Sequence, residues 1–212
     1  MDAMAMPGIQ ACAQPHAKLR IALVTETYLP EVNGVARTLG LFVDGLRKRH
    51  HSVQLVRPRQ YGTEQAAATS DFEELLVSAL PIPRYTQLRM GMPAKGALLR
   101  AWTLKRPDIV HVVTEGPLGW SALAAAKKLG LPVATGFHTN FHAYSSHYGA
   151  GWLSPAITAY LRRFHNRADC TIVPTEELAE SLSQLHFERL RVVGRGIDTQ
   201  VFSPARRSAE LT

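Results

Sequence analysis

Apolar residues along the chain gather in short, β-rich runs: RIALVT, SVQLV, LLVSALPI, DIVHVVT, PVATGF, DCTIVP and RLRVVG. Between several of these runs they recur instead at every third or fourth position. Nearly continuous runs of Val, Ile and Leu predict strands covered on both faces. Their alternation with helices predicts a parallel sheet with helices packed on either side. The expected fold class is therefore α/β, a Rossmann-like, doubly wound, mostly parallel sheet.

The helical stretches carry their own boundary signals. After the first run, Val35, Leu39, Phe42, Val43 and Leu46 share one helical face, and Arg47, Lys48 and Arg49 close the helix where cations suit its dipole. The segment GPLGWSALAAAKKLGLP predicts a crossover helix with Pro117 in the first turn and Gly130 as its stop. In SPAITAYLRRFHNRAD, Ser154 is the expected cap, Pro155 follows it, and Ile157, Leu161 and Phe164 form the apolar stripe, with Arg162, Arg163 and Arg167 off it. PTEELAESLSQLHF is expected to start at Thr175, place Glu176 and Glu177 in its first turn, and bury Leu178, Leu182 and Leu185. Residues 57–74 and 81–93, basic and rich in Pro and Gly, read as exposed loops.

Composition narrows the class. At 212 residues one large domain is expected, and 46% hydrophobic with 19% charged residues describes a globular chain and not a disordered one. The formal net charge of +7 suits an anionic partner such as a nucleotide, a sugar phosphate or an acidic lipid surface. Cys12 lies in the first segment and Cys170 in an apolar run, a usage that favours a reducing, cytoplasmic compartment over a disulfide framework. Residues 1–18 lack the basic start and apolar core of a signal peptide and read as a flexible tail. No apolar segment approaches the roughly 20 residues that span a bilayer, so membrane contact is expected to be peripheral.

Three places carry candidate chemistry. Asn33 and Gly34 stand where a strand turns into a helix, so backbone N–H groups can approach a phosphate there; the alternative is that Gly34 only makes the turn. In GFHTNFHAYSSHYG, His138 follows a strand, and Thr139, His142, Tyr144, His147 and Tyr148 follow it, at the strand ends where open α/β sheets bind ligands. His138 is suited to hydrogen bonding a hydroxyl or developing charge, while a purely structural histidine cluster is the competing reading. No glutamate stands between His138 and His142 as H-E-x-x-H requires, and no metal site is expected. Third, Glu115 and Gly116 end a strand before the Pro117 helix, with Glu115 read either as a sugar-hydroxyl ligand or as a solvated loop acid. Glu180 and Glu188 match a glutamate spacing known from glycosyltransferases, but on a Leu-rich helix without surrounding glycines the match is read as chance. No serine or cysteine triad, CxxC pair or Walker loop is present.

Five segments, VTETYLPEVNGVARTL, GPLGWSAL, TGFHTNFHAYSSHYG, YLRRFHNRADCTIVPTEELAESL and VVGRGIDTQVFSP, together resemble the N-terminal half of family 4 retaining glycosyltransferases, over about residues 18–204. The N-G of the first loop is most similar to α-mannosyltransferases and related glycolipid enzymes. The resemblance implies one half of a GT-B fold, in which two Rossmann-like domains face each other, the C-terminal one holding most of the donor and the N-terminal one most of the acceptor. It implies that Asn33, Gly34 and Val35 approach the donor diphosphate and that His138 is the catalytic histidine beside the transferred sugar. Glu115, Gly116, Thr139, His142 and Tyr144 become the expected substrate contacts. It implies a domain over 19–204, an interdomain linker beginning at 205–212, and a C-terminal donor-binding domain outside these residues. No permanently bound cofactor or metal is implied; the substrates are a nucleotide-sugar, GDP-mannose or a UDP-sugar, and a lipid or glycan acceptor. Turnover by the 212 residues alone is expected to be negligible.

A different class stays open at this stage: a non-catalytic Rossmann-like module that binds an anionic or sugar ligand. Basic residues around Arg84, Arg89, Lys95 and Arg100, or Arg162, Arg163 and Arg167, read either as a solvated face or as a contact to anionic headgroups on the inner face of the cytoplasmic membrane. Nucleic acid is not an expected partner, because the basic residues are dispersed and no aromatic–basic recognition motif accompanies them.

Overall fold

The computed structural model describes residues 17–31, 33–82, 85–138, 154–194 and 196. Among them a seven-stranded, all-parallel sheet is formed by β1 (Arg20–Val24), β2 (Ser52–Pro58), β3 (Phe72–Val77), β6 (Ile109–Val112), β7 (Val133–Gly136), β8 (Cys170–Val173) and β9 (Leu190–Val192). The spatial order is β3-β2-β1-β6-β7-β8-β9. A separate antiparallel pair is made by β4 (Ala79–Ile82) and β5 (Tyr85–Gly91). The helices are α1 (Gly34–Lys48), α2 (Lys95–Leu104), α3 (Pro117–Leu129), α4 (Ser154–His165) and α5 (Glu176–Gln184). Of the expected tail, residues 1–18, only 17 and 18 are among the described residues, and the expected linker 205–212 lies outside them altogether.

Alternation along each strand feeds two cores. Ala22 and Val24 of β1 pack with Trp102 of α2, with Leu118, Ala122 and Ala126 of α3, and with Phe164 of α4. Leu23, pointing the other way, packs with Leu39 and Val43 of α1 and with Val53 and Leu55 of β2. A third cluster joins Phe137, Leu161, Val173, Leu182 and Phe187 under α4 and α5. Covering both faces explains why the strands read as unbroken apolar runs. Each fully buried large side chain contributes roughly 1.5–3 kcal/mol by its removal from water.

The signals read at Thr175 and Gly130 act as expected, Ser154 is the first residue of α4 rather than its expected cap, and Asn33 is a cap that the sequence reading did not identify. Asn33 caps α1 by accepting from the Ala36 N–H at 2.8 Å, Thr175 caps α5 by accepting from the Leu178 N–H at 3.2 Å, and Gly130 ends α3 in the left-handed region at φ 59°. Three expected stripe residues are exposed: Ile157 at 45%, Leu185 at 44% and Phe42 at 44%. Phe42 lies instead beside the His111 ring, with centroids 5.9 Å apart.

Larger corrections concern the two basic segments. LLVSALPI is not one strand: it breaks at Ser78, its first half extending β3 and its second forming β4. Residues 81–93, expected as loop, contain the rest of β4 and all of β5. Within 57–74, Arg57 is buried, because Glu74 and Glu64 accept from its guanidinium at 2.8 and 2.7 Å. The charges that looked like solvent exposure neutralise one another in the fold. Helix α2 carries no capping signal, and its Trp102 is fully buried, donating Nε1–H to Gln54 Oε1 at 2.8 Å.

Candidate functional site

The chain leaves β1 for α1 and β2 on one side of the sheet and leaves β6 for α3 and β7 on the other. The crevice between the carboxyl ends of β1 and β6 is thus the topological switch point, where open α/β sheets receive ligands. Val24 pairs with both Val56 and Val112, so the strand ends are level and their loops meet at one rim.

On the β1 loop the helix N-terminus is open. Gly34 is the first residue of α1, its φ is not in the left-handed region, and a Cβ added there would find no atom within 4 Å. Neither the turn nor packing requires a glycine at this point, which disfavours the reading that Gly34 only makes the turn. Asn33 is committed to structure: besides capping Ala36, its Nδ2 donates to Thr27 Oγ1 at 2.6 Å and to Glu31 Oε2 at 3.3 Å. Val35 packs its side chain against the α1-side core, leaving only backbone to face a ligand.

At the second helix N-terminus the situation is reversed, and sequence reasoning missed the residue responsible. Glu26 sits with its Oε1 accepting from the Leu118 N–H of α3 at 3.1 Å, while its own N–H donates to Thr114 Oγ1 at 2.9 Å. Gly91, at the end of β5, also donates its backbone N–H to this carboxylate. A Cβ on Gly116 would collide with the Glu26 carboxyl group, so the absence of a side chain at Gly116 is what admits Glu26. Burial, and secondarily the charge of Glu115, push the Glu26 pKa up from 4.5 to about 7 despite the two backbone donors. A lone acid two residues past a strand carries no periodic signal; only its position beside the switch point marks it.

Glu115 is not a solvated loop acid. Its Oε1 lies 3.4 Å from Nε2 of the fully buried His165, and its carbonyl accepts from the Tyr160 hydroxyl, which itself accepts from Trp120 Nε1 at 2.9 Å. Arg167 stacks over Trp120 at 4.9 Å, and Arg162 donates to the Leu185 carbonyl at 3.3 Å. Two of the three arginines read as a basic cluster are therefore engaged within the fold.

His138 is half-buried beyond the end of β7. A Cβ on Gly136 would stand 2.6 Å from His138 Nε2 and 3.4 Å from His111 Nε2, so two imidazole edges meet over that glycine, on the α1 side of the sheet. His111 is held neutral: burial, and next the neighbouring His138, lower its pKa from 6.5 to about 4. Thr139, His142 and Tyr144 lie outside the described residues. Among the described residues no cluster of His, Cys, Asp and Glu has the arrangement to hold a metal ion. Glu180 is exposed on α5 and Glu188 pairs with Arg189 at 2.6 Å, in keeping with a chance spacing.

The model of glycosyltransferase family 4 matches residues 32–201. A GDP-mannose-dependent alpha-mannosyltransferase of Mycolicibacterium smegmatis is 33% identical over 198 residues, covering 91% of this chain and 52% of that protein. The enzyme of the same description from Mycobacterium tuberculosis is 32% identical, with 91% and 51% covered. An alpha-monoglucosyldiacylglycerol synthase of Streptococcus pneumoniae is 27% identical, with 87% and 42% covered. The chain thus spans about half the length of the curated relatives it matches. Among solved structures, sucrose-phosphate synthase from Thermosynechococcus elongatus superposes with a TM-score of 0.69 at 13% identity, over 88% of this chain and 50% of that one. A glycosyltransferase from Rickettsia africae gives 0.58 at 14% identity, over 92% and 48%. These likenesses establish the Rossmann-like fold.

Proposed function

Because the chain belongs to glycosyltransferase family 4, we propose that it forms the acceptor-side domain, about residues 19–204, of a two-domain retaining transferase that moves a sugar from a nucleotide-sugar to a glycan or glycolipid acceptor. The observation that carries the reading is the open N-terminus of α1 at the switch point, with Gly34 unexplained by turn or packing. The first-turn N–H groups there, with a partial charge of about half a unit, suit a diphosphate as its negative charge grows on departure. GDP-mannose is the favoured donor because mannosyltransferases dominate the most similar relatives. In this reading a second Rossmann-like domain supplies the rest of the donor site.

His138, at the β7 end, takes the place beside the transferred sugar, hydrogen bonding a hydroxyl of that sugar or charge developing on it. Glu26, with two lone-pair sites beyond those used by Leu118 and Gly91, receives an acceptor hydroxyl. The related lipid-glycosylating enzymes favour a glycolipid acceptor taken up at a membrane surface, with Arg89, Lys95 and Arg100 toward the headgroups. No described helix is long and apolar enough to cross a membrane, which fits peripheral contact.

The test is transfer of labelled mannose from GDP-mannose to a glycolipid fraction by the transferase that contains these residues. Wild-type incorporation should be lost in His138→Ala and strongly reduced in Gly34→Val, whose side chain would stand in the open space at the helix end. Undiminished transfer in both variants refutes the assignment.

A further inference from the structure

The most deeply buried imidazole among the described residues has no part in the proposed chemistry. His165, on α4, is 1% exposed and enclosed by the rings of Phe137, Phe164 and Phe187, with centroids 5.2, 5.2 and 6.0 Å away. A histidine in such a pocket needs a partner for each ring nitrogen. Nδ1 is 2.9 Å from Thr135 Oγ1, and that hydroxyl is 3.0 Å from Thr171 Oγ1. Both threonines are fully buried, on neighbouring strands β7 and β8. Nε2 has no hydrogen-bond partner among the described residues, and the acceptor it faces is the Glu115 carboxylate, with Oε1 at 3.4 Å, longer than an ordinary hydrogen bond.

The arrangement has a direction. An Nε2 lone pair facing a carboxylate oxygen would be repelled by it, so Nε2 carries the hydrogen. In the neutral ring Nδ1 is then an acceptor, filled by the Thr135 hydroxyl, whose oxygen in turn accepts from Thr171. The Thr135 hydroxyl also lies 3.5 Å from the Cys170 carbonyl, a longer and weaker alternative to His165 Nδ1 at 2.9 Å. The line begins under β8, inside the core, and ends at the rim of the switch point, on the loop that leads into α3.

We propose that His165 is a positioning residue: from within the core it directs its Nε2–H at the Glu115 carboxylate, and this electrostatic contact sets where the carboxylate stands at the acceptor side of the site. Helix α4 holds the same residue a second time through Tyr160, whose hydroxyl donates to the Glu115 carbonyl. One helix therefore fixes both the backbone and the side chain of the β6–α3 loop. The role in acceptor binding rests on the function proposed above, whereas the hydrogen-bond line does not.

Nitrogen-15 long-range NMR on the 212-residue protein reads the line directly. A protonated His165 Nε2 is expected, and a bare Nε2 with hydrogen on Nδ1 alone overturns the proposal. Three variants then separate positioning from packing. His165→Phe keeps volume without nitrogen, His165→Gln carries an amide nitrogen to the place of Nε2, and His165→Asn carries one only as far as Nδ1. The Glu115 carboxyl carbon resonance should move in His165→Phe, return toward wild type in His165→Gln, and stay displaced in His165→Asn. Equal resonances in the Gln and Asn variants refute the role, because loss of packing alone would not distinguish them. In the complete transferase the same order should appear as a several-fold rise in acceptor KM at little change in kcat. If the resonances follow the order and no sugar transfer occurs, the transferase reading fails and the positioning line stands; intact transfer with unresponsive resonances is the reverse.

Discussion

Replacing Glu26 by glutamine should change how stability depends on pH more than it changes stability itself. Glu26 ionises near 4.5 in an unfolded chain and near 7 in the fold, mainly because burial disfavours its charge. Between those values the native state holds a proton that the unfolded state has released, so stability falls as pH rises from about 4.5 to about 7. Each unit of displacement corresponds to about 1.36 kcal/mol, which makes the whole loss at most about 3 kcal/mol. A glutamine in this place cannot ionise, and its side-chain carbonyl still accepts from the Leu118 N–H. The difference in stability between Glu26→Gln and wild type should therefore grow in favour of the variant across that interval. At roughly 2–4 °C per kcal/mol for a chain of this size, the two melting curves should separate by up to about 6–12 °C between about pH 4 and about pH 8. Thermal melts at half-unit steps of pH decide it. Curves that run parallel, or a wild type that gains on the variant as pH rises, would show that the carboxyl group is ordinary and the reasoning wrong.

Other consequences are simpler to check. His111, neutral in the fold down to about pH 4 but able to protonate near 6.5 when unfolded, should cost stability as pH falls through that interval. His111→Gln should flatten this acid limb in urea titrations; persistence of the slope would assign it elsewhere. Gly116→Ala should expel the Glu26 carboxyl group toward solvent, lowering its pKa, so carbon-13 titration of Glu26 should shift by more than one unit toward 4.5. Asn33→Ala removes the α1 cap and should lower stability by about 1–2 kcal/mol in denaturant unfolding. Phe164→Ala, at a fully buried position between α3 and α4, should cost about 3–5 kcal/mol by the same assay.

The parts of the fold legible in the sequence were those where one local signal decides the outcome. Thr175 and Gly130 bound their helices because their own side chain or backbone does the work, and the two-sided strands announce themselves by composition. Ser78 was not legible as a break, because the chain passes from parallel sheet to hairpin without a glycine or proline at that position. Arg57 read as surface because its neutralising partners, Glu64 and Glu74, come close only after β2 and β3 pair. The candidate site divides in the same way. His138 stands just after β7 and Gly34 opens the helix that follows β1, where strand and helix patterns find them. Glu26 and His165 owe their importance to contacts 92 and 50 residues away in the chain, with Leu118 and Glu115, and no window along the sequence contains both partners.

Strand β7 has only four residues, yet Thr135 faces α4 while Gly136 faces α1. The imidazoles of His111 and His138 thus lie on one side of a continuous sheet and that of His165 on the other, with hydrogen-bonded backbone between them. Changes made on one side should combine additively with changes on the other, whereas changes within either side should be coupled. A protein organised this way can vary the paired imidazoles and the β6–α3 loop as separate inheritable traits. A slip of one residue in this strand would exchange the two sets of contacts and lose both at once.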